Sequence, residues 1–244
     1  QTVALRVPRH PMALALLRQF NGLVGPSANK YGHVSPTTAQ HVQEDLGDAV
    51  DFVLDGGPCN VGIESTIINC VADQITILRQ GSITAADISK VLGKPVFVVN
   101  SDSVGDNSAS NNRVISVPGN KQSHYAPVKP LLVLERADIV ATIDKLNKND
   151  KICAVIVFAD SDDSSNRNLI EQTGQFKNVA VFEKVSKIAI TFAKNLYAKL
   201  RELDQMNNVT CIIMEKPPLG ESWQAVSDRL SRASFKSRSF LGNV

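Results

Sequence analysis

Residues 25–37 read Gly-Pro-Ser-Ala-Asn-Lys-Tyr-Gly-His-Val-Ser-Pro-Thr and combine turn-forming residues with short polar side chains. The two glycines permit backbone conformations that are closed to other residues, and the prolines fix a dihedral angle. Ser27, Asn29 and Ser35 add hydrogen-bond donors and acceptors of little bulk. The segment is either a surface turn or a loop that brings N–H groups and hydroxyls to a phosphate or carboxylate, and both interpretations are open at this point.

The composition is that of an ordinary globular chain. The 244 residues are 43% hydrophobic and 20% charged, which is enough for one large domain or two smaller ones. No stretch is long and apolar enough for a membrane span, and a net charge of +2 gives no sign of a nucleic-acid-binding surface. The four cysteines lack C-x-x-C spacing, so we expect no metal site, no disulfide framework and a cytoplasmic location.

The sequence around this loop predicts alternating strands and helices. Residues 2–7 (TVALRV) predict a strand that stops at a proline and carries Arg6 near its end. Apolar periodicity and turn residues predict the other elements of this part: strands at 23–24, 50–54, 62–68 and 74–78, and helices at 11–21, 38–46 and 83–92.

Two positions in these strands are candidates for ligand contact. Ser65 and Thr66 interrupt an apolar strand and would alternate between its faces, so one of them faces a pocket unless both bond to neighbouring backbone groups. Arg79 ends the strand 74–78. An arginine there is either a solvated charge or, beside hydroxyl-rich loops, a clamp that donates two parallel hydrogen bonds to a phosphate.

Residues 101–112 and 116–127 predict a connection between two domains. The first segment is rich in Ser, Asp, Asn and Gly, and the second contains too many prolines for regular structure. Lys121, His124 and Tyr125 cluster in the second segment. The segment is either a stiff spacer with a packed tyrosine or part of a binding site.

Beyond residue 129, strands and helices alternate. We predict strands at 130–134, 152–158, 179–182 and 210–214, and helices at 137–146, 185–203 and 223–232. This order predicts a small parallel sheet with helices on both faces. No G-x-G-x-x-G motif follows its strands, so nothing indicates a dinucleotide there.

Several short motifs occur in a fixed order along the chain: Pro26-Ser27-Ala28-Asn29, Asp55-Gly56-Gly57, Gly62-Ile63-Glu64-Ser65-Thr66-Ile67, Leu78-Arg79-Gln80-Gly81, His124-Tyr125-Ala126-Pro127, Asn195-Leu196-Tyr197 and Asp228-Arg229-Leu230. In this order they resemble the threonylcarbamoyl-AMP synthases of the YrdC-like fold, in that family's longer branch. The resemblance implies an α/β fold: the C-terminal half of a YrdC-like catalytic domain at 1–98, a linker at 99–128, and a small Rossmann-like parallel-sheet domain at 129–244.

The resemblance also implies an activity. This is the condensation of L-threonine, bicarbonate and ATP, with Mg²⁺, to threonylcarbamoyl-adenylate and pyrophosphate, which a downstream transferase complex uses to modify tRNA. No catalytic residue and no metal ligand of the protein is assigned. The matching positions would hold threonine with Arg6, Gly25 and Ser65, and would contact ATP with Thr2, Ser27, Asn29, Ser35, Arg79 and Tyr125.

The family's N-terminal Lys/Arg-rich motif has no match in this sequence. We therefore expect this chain to be the C-terminal part of a longer protein and to be insufficient for activity by itself. Two other classes remain open, namely an RNA-binding module without catalysis and a non-catalytic regulatory fragment. The interleaved acidic residues argue against the first, because surfaces that follow phosphates need clustered Lys and Arg.

Overall fold

The computed structural model describes residues 2–99, 117–119, 121–159 and 164–242. The helices are α1 (Pro11–Leu17), α2 (Ala39–Leu46), α3 (Ala85–Leu92), α4 (Ile139–Asn147), α5 (Ser164–Thr173), α6 (Ala189–Gln205) and α7 (Gln224–Ser234). The strands are β1 (Ile67–Asn69), β2 (Thr76–Arg79), β3 (Phe97–Val98), β4 (Leu131–Leu134), β5 (Cys153–Ala159), β6 (Val179–Ser186) and β7 (Cys211–Glu215). In the described residues, short 3-10 helices occupy Gly47–Ala49, Arg136–Asp138, Glu221–Trp223 and Phe235–Gly242.

The first sheet has three strands in the order β1-β2-β3. β1 runs antiparallel to β2, and β3 runs parallel to it. A register shift between Ile67 and Ile68 ends the regular ladder. Because residues 64–66 lie before this ladder and form a loop, the predicted strand 62–68 is wrong over most of its length. Thr66 donates its hydroxyl to the Ile83 carbonyl at 2.7 Å, so this hydroxyl satisfies the backbone.

The predicted strands at 2–7, 23–24 and 50–54 are also wrong. These segments are irregular, and their apolar side chains are exposed: Val7 by 91%, Val24 by 97% and Phe52 by 94%. A strand exists only when a neighbour pairs with its backbone, and within residues 2–99 no strand pairs with these segments. β-branched composition predicted their local preference but could not supply that neighbour.

Helices in this part follow their capping residues. α2 lies within the predicted helix 38–46 and begins after Thr38, which accepts a hydrogen bond from the His41 N–H, and Gly47 follows its last residue. α3 begins with a capping box, in which Thr84 and Asp87 each accept a hydrogen bond from the other's backbone N–H. α1 ends four residues before the predicted position 21, in a turn.

The second sheet has four parallel strands in the order β4-β7-β5-β6. Its central strand β5 is buried on both faces from Cys153 to Phe158. α6 and α7 pack on one face, and α4 and α5 contribute apolar residues to the other. The predicted parallel sheet with helices on both faces is therefore confirmed, and with it the α/β class. α5 was not predicted, because its sequence SSNRNLIEQT has little apolar content.

The two parts of the chain share one apolar core. Val34 and Ile63 belong to the first part of the chain, residues 2–99, and Tyr125 belongs to the predicted segment 116–127, called the connecting segment below. All three join a buried cluster with residues of α6 and α7. No helix in the described part of the chain is long and apolar enough to cross a membrane. The predicted linker residues 101–112 and Ser116 lie outside the described residues, and the proposed domain limits stay a prediction.

Candidate functional site

A carboxylate that received no role from the sequence occupies the centre of the site. Glu64 accepts three hydrogen bonds: from the Ser35 hydroxyl at 2.6 Å, from the Tyr197 hydroxyl at 2.9 Å and from Arg229 Nε at 2.8 Å. Burial alone would raise the pKa of the Glu64 carboxyl, but Arg229 and Ser35 outweigh it and hold that pKa below its usual range. The carboxylate is therefore ionised at neutral pH.

This arrangement bears on the predicted ATP contact of Ser35. An ionised carboxylate only accepts hydrogen bonds, so the Ser35 hydroxyl must be the donor in its hydrogen bond to Glu64. Its lone pairs remain available to a donor. A phosphate oxygen can receive that proton only if the hydroxyl turns away from Glu64. In this structure the Ser35 hydroxyl therefore lies in the site and can accept a hydrogen bond from a ligand, but it has no hydrogen left to donate to one.

Next to Glu64, two arginines meet at Ser65. Arg79 is 7% exposed and donates from Nε and Nη2 to the Ser65 carbonyl at 3.1 and 2.9 Å, and Nη2 also lies 3.3 Å from the Ser65 hydroxyl. Its Nη1 donates to the Pro118 carbonyl at 3.0 Å. Arg6 donates to the same Ser65 hydroxyl at 3.3 Å. Burial lowers the pKa of Arg79, which is a consequence of holding a guanidinium inside the fold.

The connecting segment covers this cluster with aromatic side chains. Tyr125 is 2% exposed and stacks on Tyr197 at a ring-centroid distance of 5.9 Å, while His124 contacts Tyr125 edge-on at 4.2 Å. Tyr31 of the 25–37 loop meets His124, and Lys121 lies over the Tyr31 ring. The segment is therefore packed against both parts of the chain.

His124 is chemically unusual in this group. Its Nδ1 atom is buried and has no hydrogen-bond partner among the described residues. Burial lowers the pKa of the imidazole, so the ring is neutral at pH 7. A neutral imidazole nitrogen can accept or donate one hydrogen bond to a ligand.

The structure does not bring all predicted ligand contacts together. Asn29 donates to the Lys30 and His33 carbonyls and so shapes its own loop, while its Oδ1 is buried and has no partner among the described residues. Thr2, Gly25 and Ser27 are exposed, and in the described part of the chain no hydrogen bond joins these residues to Glu64, Ser65 or Arg79.

Two arginines of the parallel-sheet part bind the backbone of the segments that surround the site. Arg201 of α6 makes a bidentate ion pair with Asp45 and donates to the Val34 carbonyl at 2.6 Å. Arg232 of α7 donates to the Lys121 carbonyl at 2.7 Å. These contacts fix the 25–37 loop and the connecting segment to the parallel-sheet part. The sequence placed these arginines in helices but gave no sign of their distant partners.

The fold and the site define a protein of two α/β parts in which the parallel-sheet part packs against a cluster of hydroxyls and arginines. Two family models match the chain, one described as telomere recombination over residues 1–81 and one described as the C-terminal domain of threonylcarbamoyl-AMP synthase over residues 83–234. Since the second covers more than half of the sequence, the chain belongs to the threonylcarbamoyl-AMP synthase family.

Individual relatives agree with this assignment. The threonylcarbamoyl-AMP synthases of Bacillus subtilis and Schizosaccharomyces pombe are 34% and 29% identical over 96% of this chain. The crystal structure of P. abyssi Sua5 complexed with L-threonine matches 95% of the chain with a TM-score of 0.75 at 28% identity. A second structure is of a variant of that protein in which adjacent histidine and tyrosine residues are replaced by alanine. The chain spans 63% and 57% of the two enzymes and 64% of the Sua5 chain.

Proposed function

We propose that the natural protein containing this chain is a threonylcarbamoyl-AMP synthase. It would condense L-threonine, bicarbonate and ATP to threonylcarbamoyl-adenylate, pyrophosphate and water, for the modification of tRNA by a downstream transferase complex. Family membership supports the class of enzyme. The observation that carries the proposal to this site is the meeting of Arg6 and Arg79 at Ser65, beside the ionised Glu64.

The chemistry needs two anion sites close together. The threonine carboxylate and the triphosphate of ATP both require cations and N–H or O–H donors, and catalysis is mostly positioning and electrostatic stabilisation. In the proposal, Arg6, Ser65 and the backbone at Gly25 hold the threonine carboxylate. The likeness to P. abyssi Sua5, which was solved with L-threonine, supports a threonine subsite in this fold.

The nucleotide would lie on the Arg79 side of the cluster. Thr2, Ser27 and Ser35 would contact ATP, Asn29 would hold their loop, and Mg²⁺ would arrive with the triphosphate and neutralise part of its charge. Tyr125 would cover the nucleotide and keep water from the reactive adenylate. Transfer of the adenylyl group with loss of pyrophosphate makes the enzyme a nucleotidyltransferase, which we place in the cytoplasm.

The first test is the substrate requirement. We expect the natural protein to release pyrophosphate from ATP only when L-threonine and bicarbonate are both present, because the carbamate that attacks the α-phosphate forms from the two together. Pyrophosphate release with each substrate omitted in turn measures this. L-Serine, which lacks only the methyl group, is the matched control. Equal turnover with serine, or no turnover with any amino acid, would contradict the proposal.

A second test addresses Arg79. Arg79→Ala should weaken ATP binding by about 1.5–3 kcal/mol, the range for a hydrogen bond to a charged group. Titration calorimetry with ATP measures the loss. Arg18→Ala is the matched control, because Arg18 is exposed on the turn after α1. Arg136 is unsuitable as this control, because it pairs with Glu215 at 2.8 Å. Equal nucleotide affinities of the Arg79 and Arg18 variants would remove Arg79 from the site.

A further inference from the structure

The guanidinium of Arg229 on α7 is the most completely buried charge of the site. Its side chain is 1% exposed, and each of its three nitrogens donates a hydrogen bond. Nε donates to Glu64 at 2.8 Å, Nη2 to the Gln80 carbonyl at 2.8 Å, and Nη1 to Asp228 at 2.7 Å. The guanidinium carbon also lies 5.2 Å from the centre of the Tyr125 ring.

These contacts join two backbone segments that carry the proposed ligand residues. Glu64 precedes Ser65, and Gln80 follows Arg79. The two segments approach so closely that a Cβ on Gly81 would stand 2.7 Å from the Glu64 carbonyl oxygen. A single planar group that donates to both segments fixes their separation and their rotation. The sequence motif Asp228-Arg229 thus has a geometric task at the site although it lies 165 residues from Glu64.

We propose that Arg229 is a positioning residue of the threonylcarbamoyl-AMP synthase reaction, an inference that rests on the proposed function. It acts through Glu64 and Gln80: it holds the 62–66 loop against the end of β2, so that the Ser65 hydroxyl and the cationic Arg79 are kept in one geometry for threonine and ATP. Arg229 does not touch the substrates. The parallel-sheet part of the protein would then tune substrate affinity from behind the site.

Energetics favour positioning over stabilisation as the reason for this charge. Removing ions from water costs so much that a buried ion pair is often no more stabilising than apolar residues of the same volume. Apolar residues in place of both Arg229 and Glu64 could therefore fill this space without a loss of stability. Only a group with several donors in fixed directions can orient a carboxylate and a carbonyl at the same time.

Tyr197 on α6 provides an independent contact to the same carboxylate. Burial and the nearby Glu64 raise the pKa of the Tyr197 phenol well above its ordinary value, so the hydroxyl keeps the proton that it donates to Glu64 at 2.9 Å. Tyr197→Phe removes this hydrogen bond and leaves the ring packing intact. It is therefore a milder perturbation of the same loop.

The experiment compares four forms of the natural protein: the wild type, Arg229→Met, Tyr197→Phe and the control Arg136→Met. Arg136 is also a part-buried, ion-paired arginine of the parallel-sheet part, but its partners include Glu215 and the Phe158 carbonyl and lie away from Glu64. The measurements are KM and kcat for pyrophosphate release with threonine and with ATP, and the free energy of unfolding in urea. Calorimetric binding of L-threonine gives a readout that does not depend on turnover.

We expect Arg229→Met to raise KM and the dissociation constant for threonine by about tenfold or more, since small displacements of a binding group have effects of this size. Tyr197→Phe should raise them about threefold, the equivalent of one modest hydrogen bond. Arg136→Met should change KM and the dissociation constant less than twofold, even if it lowers the free energy of unfolding as much as Arg229→Met does, because Arg136 is distant from the site. If both variants lose stability and only Arg229→Met loses affinity for threonine, the effect of Arg229 is one of positioning and not of general stability.

Unchanged threonine affinity in both Tyr197→Phe and folded Arg229→Met would overturn the inference and leave the proposed function standing. If Arg229→Met does not fold, the Tyr197→Phe result decides. An equal rise of KM in Arg136→Met would also overturn it, because the effect would then follow stability. A wild-type protein that forms no pyrophosphate with all three substrates would overturn the proposed function and the inference together.

Discussion

Gly62→Ala is expected to destabilise the protein by about 3 kcal/mol, the sum of left-handed backbone strain and overpacking. Gly62 has a φ of +82°, and its Cα faces the backbone of α6. An added Cβ would stand 2.5 Å from the Ala193 carbonyl oxygen and would clash with the carbonyl of Lys194. Because backbone atoms of a helix cannot move aside as side chains do, α6 would have to separate from the 62–66 loop.

The measurement is the free energy of unfolding in urea, with Gly93→Ala as the control. Gly93 also has a positive φ, of +66°, but a Cβ there would meet nothing within 4 Å. It should therefore show the strain alone, about 1 kcal/mol. Equal losses for the two variants would mean that the close approach of α6 to Gly62 adds nothing to stability.

This contact illustrates what a sequence can and cannot predict here. The capping box at Thr84 and the buried run Cys153–Phe158 are local patterns, and the structure has α3 and β5 at those positions. The strand predicted at 2–7 failed because its local preference had no strand to pair with in residues 2–99. Local patterns determine a segment's preference, whereas pairing depends on distant residues.

The candidate site shows the same division. The hydroxyl-rich motifs and Arg79 were recognisable because their residue types suit phosphate and carboxylate binding. Glu64 lay inside a quoted motif but received no role, since its partners Tyr197 and Arg229 are 133 and 165 residues away. The available signal was Arg229 itself, which lies on the same buried face of α7 as the apolar residues Val226 and Ala233. A charge there requires an opposite charge in the fold.

Backbone hydrogen bonds to distant residues also make the connecting segment more than a spacer. The backbone N–H of His124 donates to the Arg232 carbonyl at 3.4 Å, and the N–H of Ala126 donates to the Gly32 carbonyl at 3.0 Å. Residues 124–126 therefore bridge α7 and the 25–37 loop. The packed tyrosine that the sequence left as one of two interpretations is confirmed, while its contact with ATP stays a prediction.

Tyr125→Ala is expected to destabilise the protein by about 3–5 kcal/mol, the range for removing a large buried aromatic side chain. The ring fills the space between His124, Tyr197 and Arg229, and its hydroxyl reaches Gly119. The loss is measured as the free energy of unfolding, with Tyr125→Phe as the control that keeps the ring.

The same variant tests whether the segment takes part in the proposed reaction. If the ring covers the nucleotide, Tyr125→Ala should lose turnover under conditions where it is still folded, because an open segment admits water to the adenylate and releases the reacting groups from alignment. Tyr125→Phe should keep most of the turnover, since it retains the covering ring. Normal pyrophosphate release by folded Tyr125→Ala would make the tyrosine a packing residue only. If the free energy of unfolding of Tyr125→Ala were unchanged too, the whole segment would be only a spacer. The 2% exposure of this ring predicts the opposite.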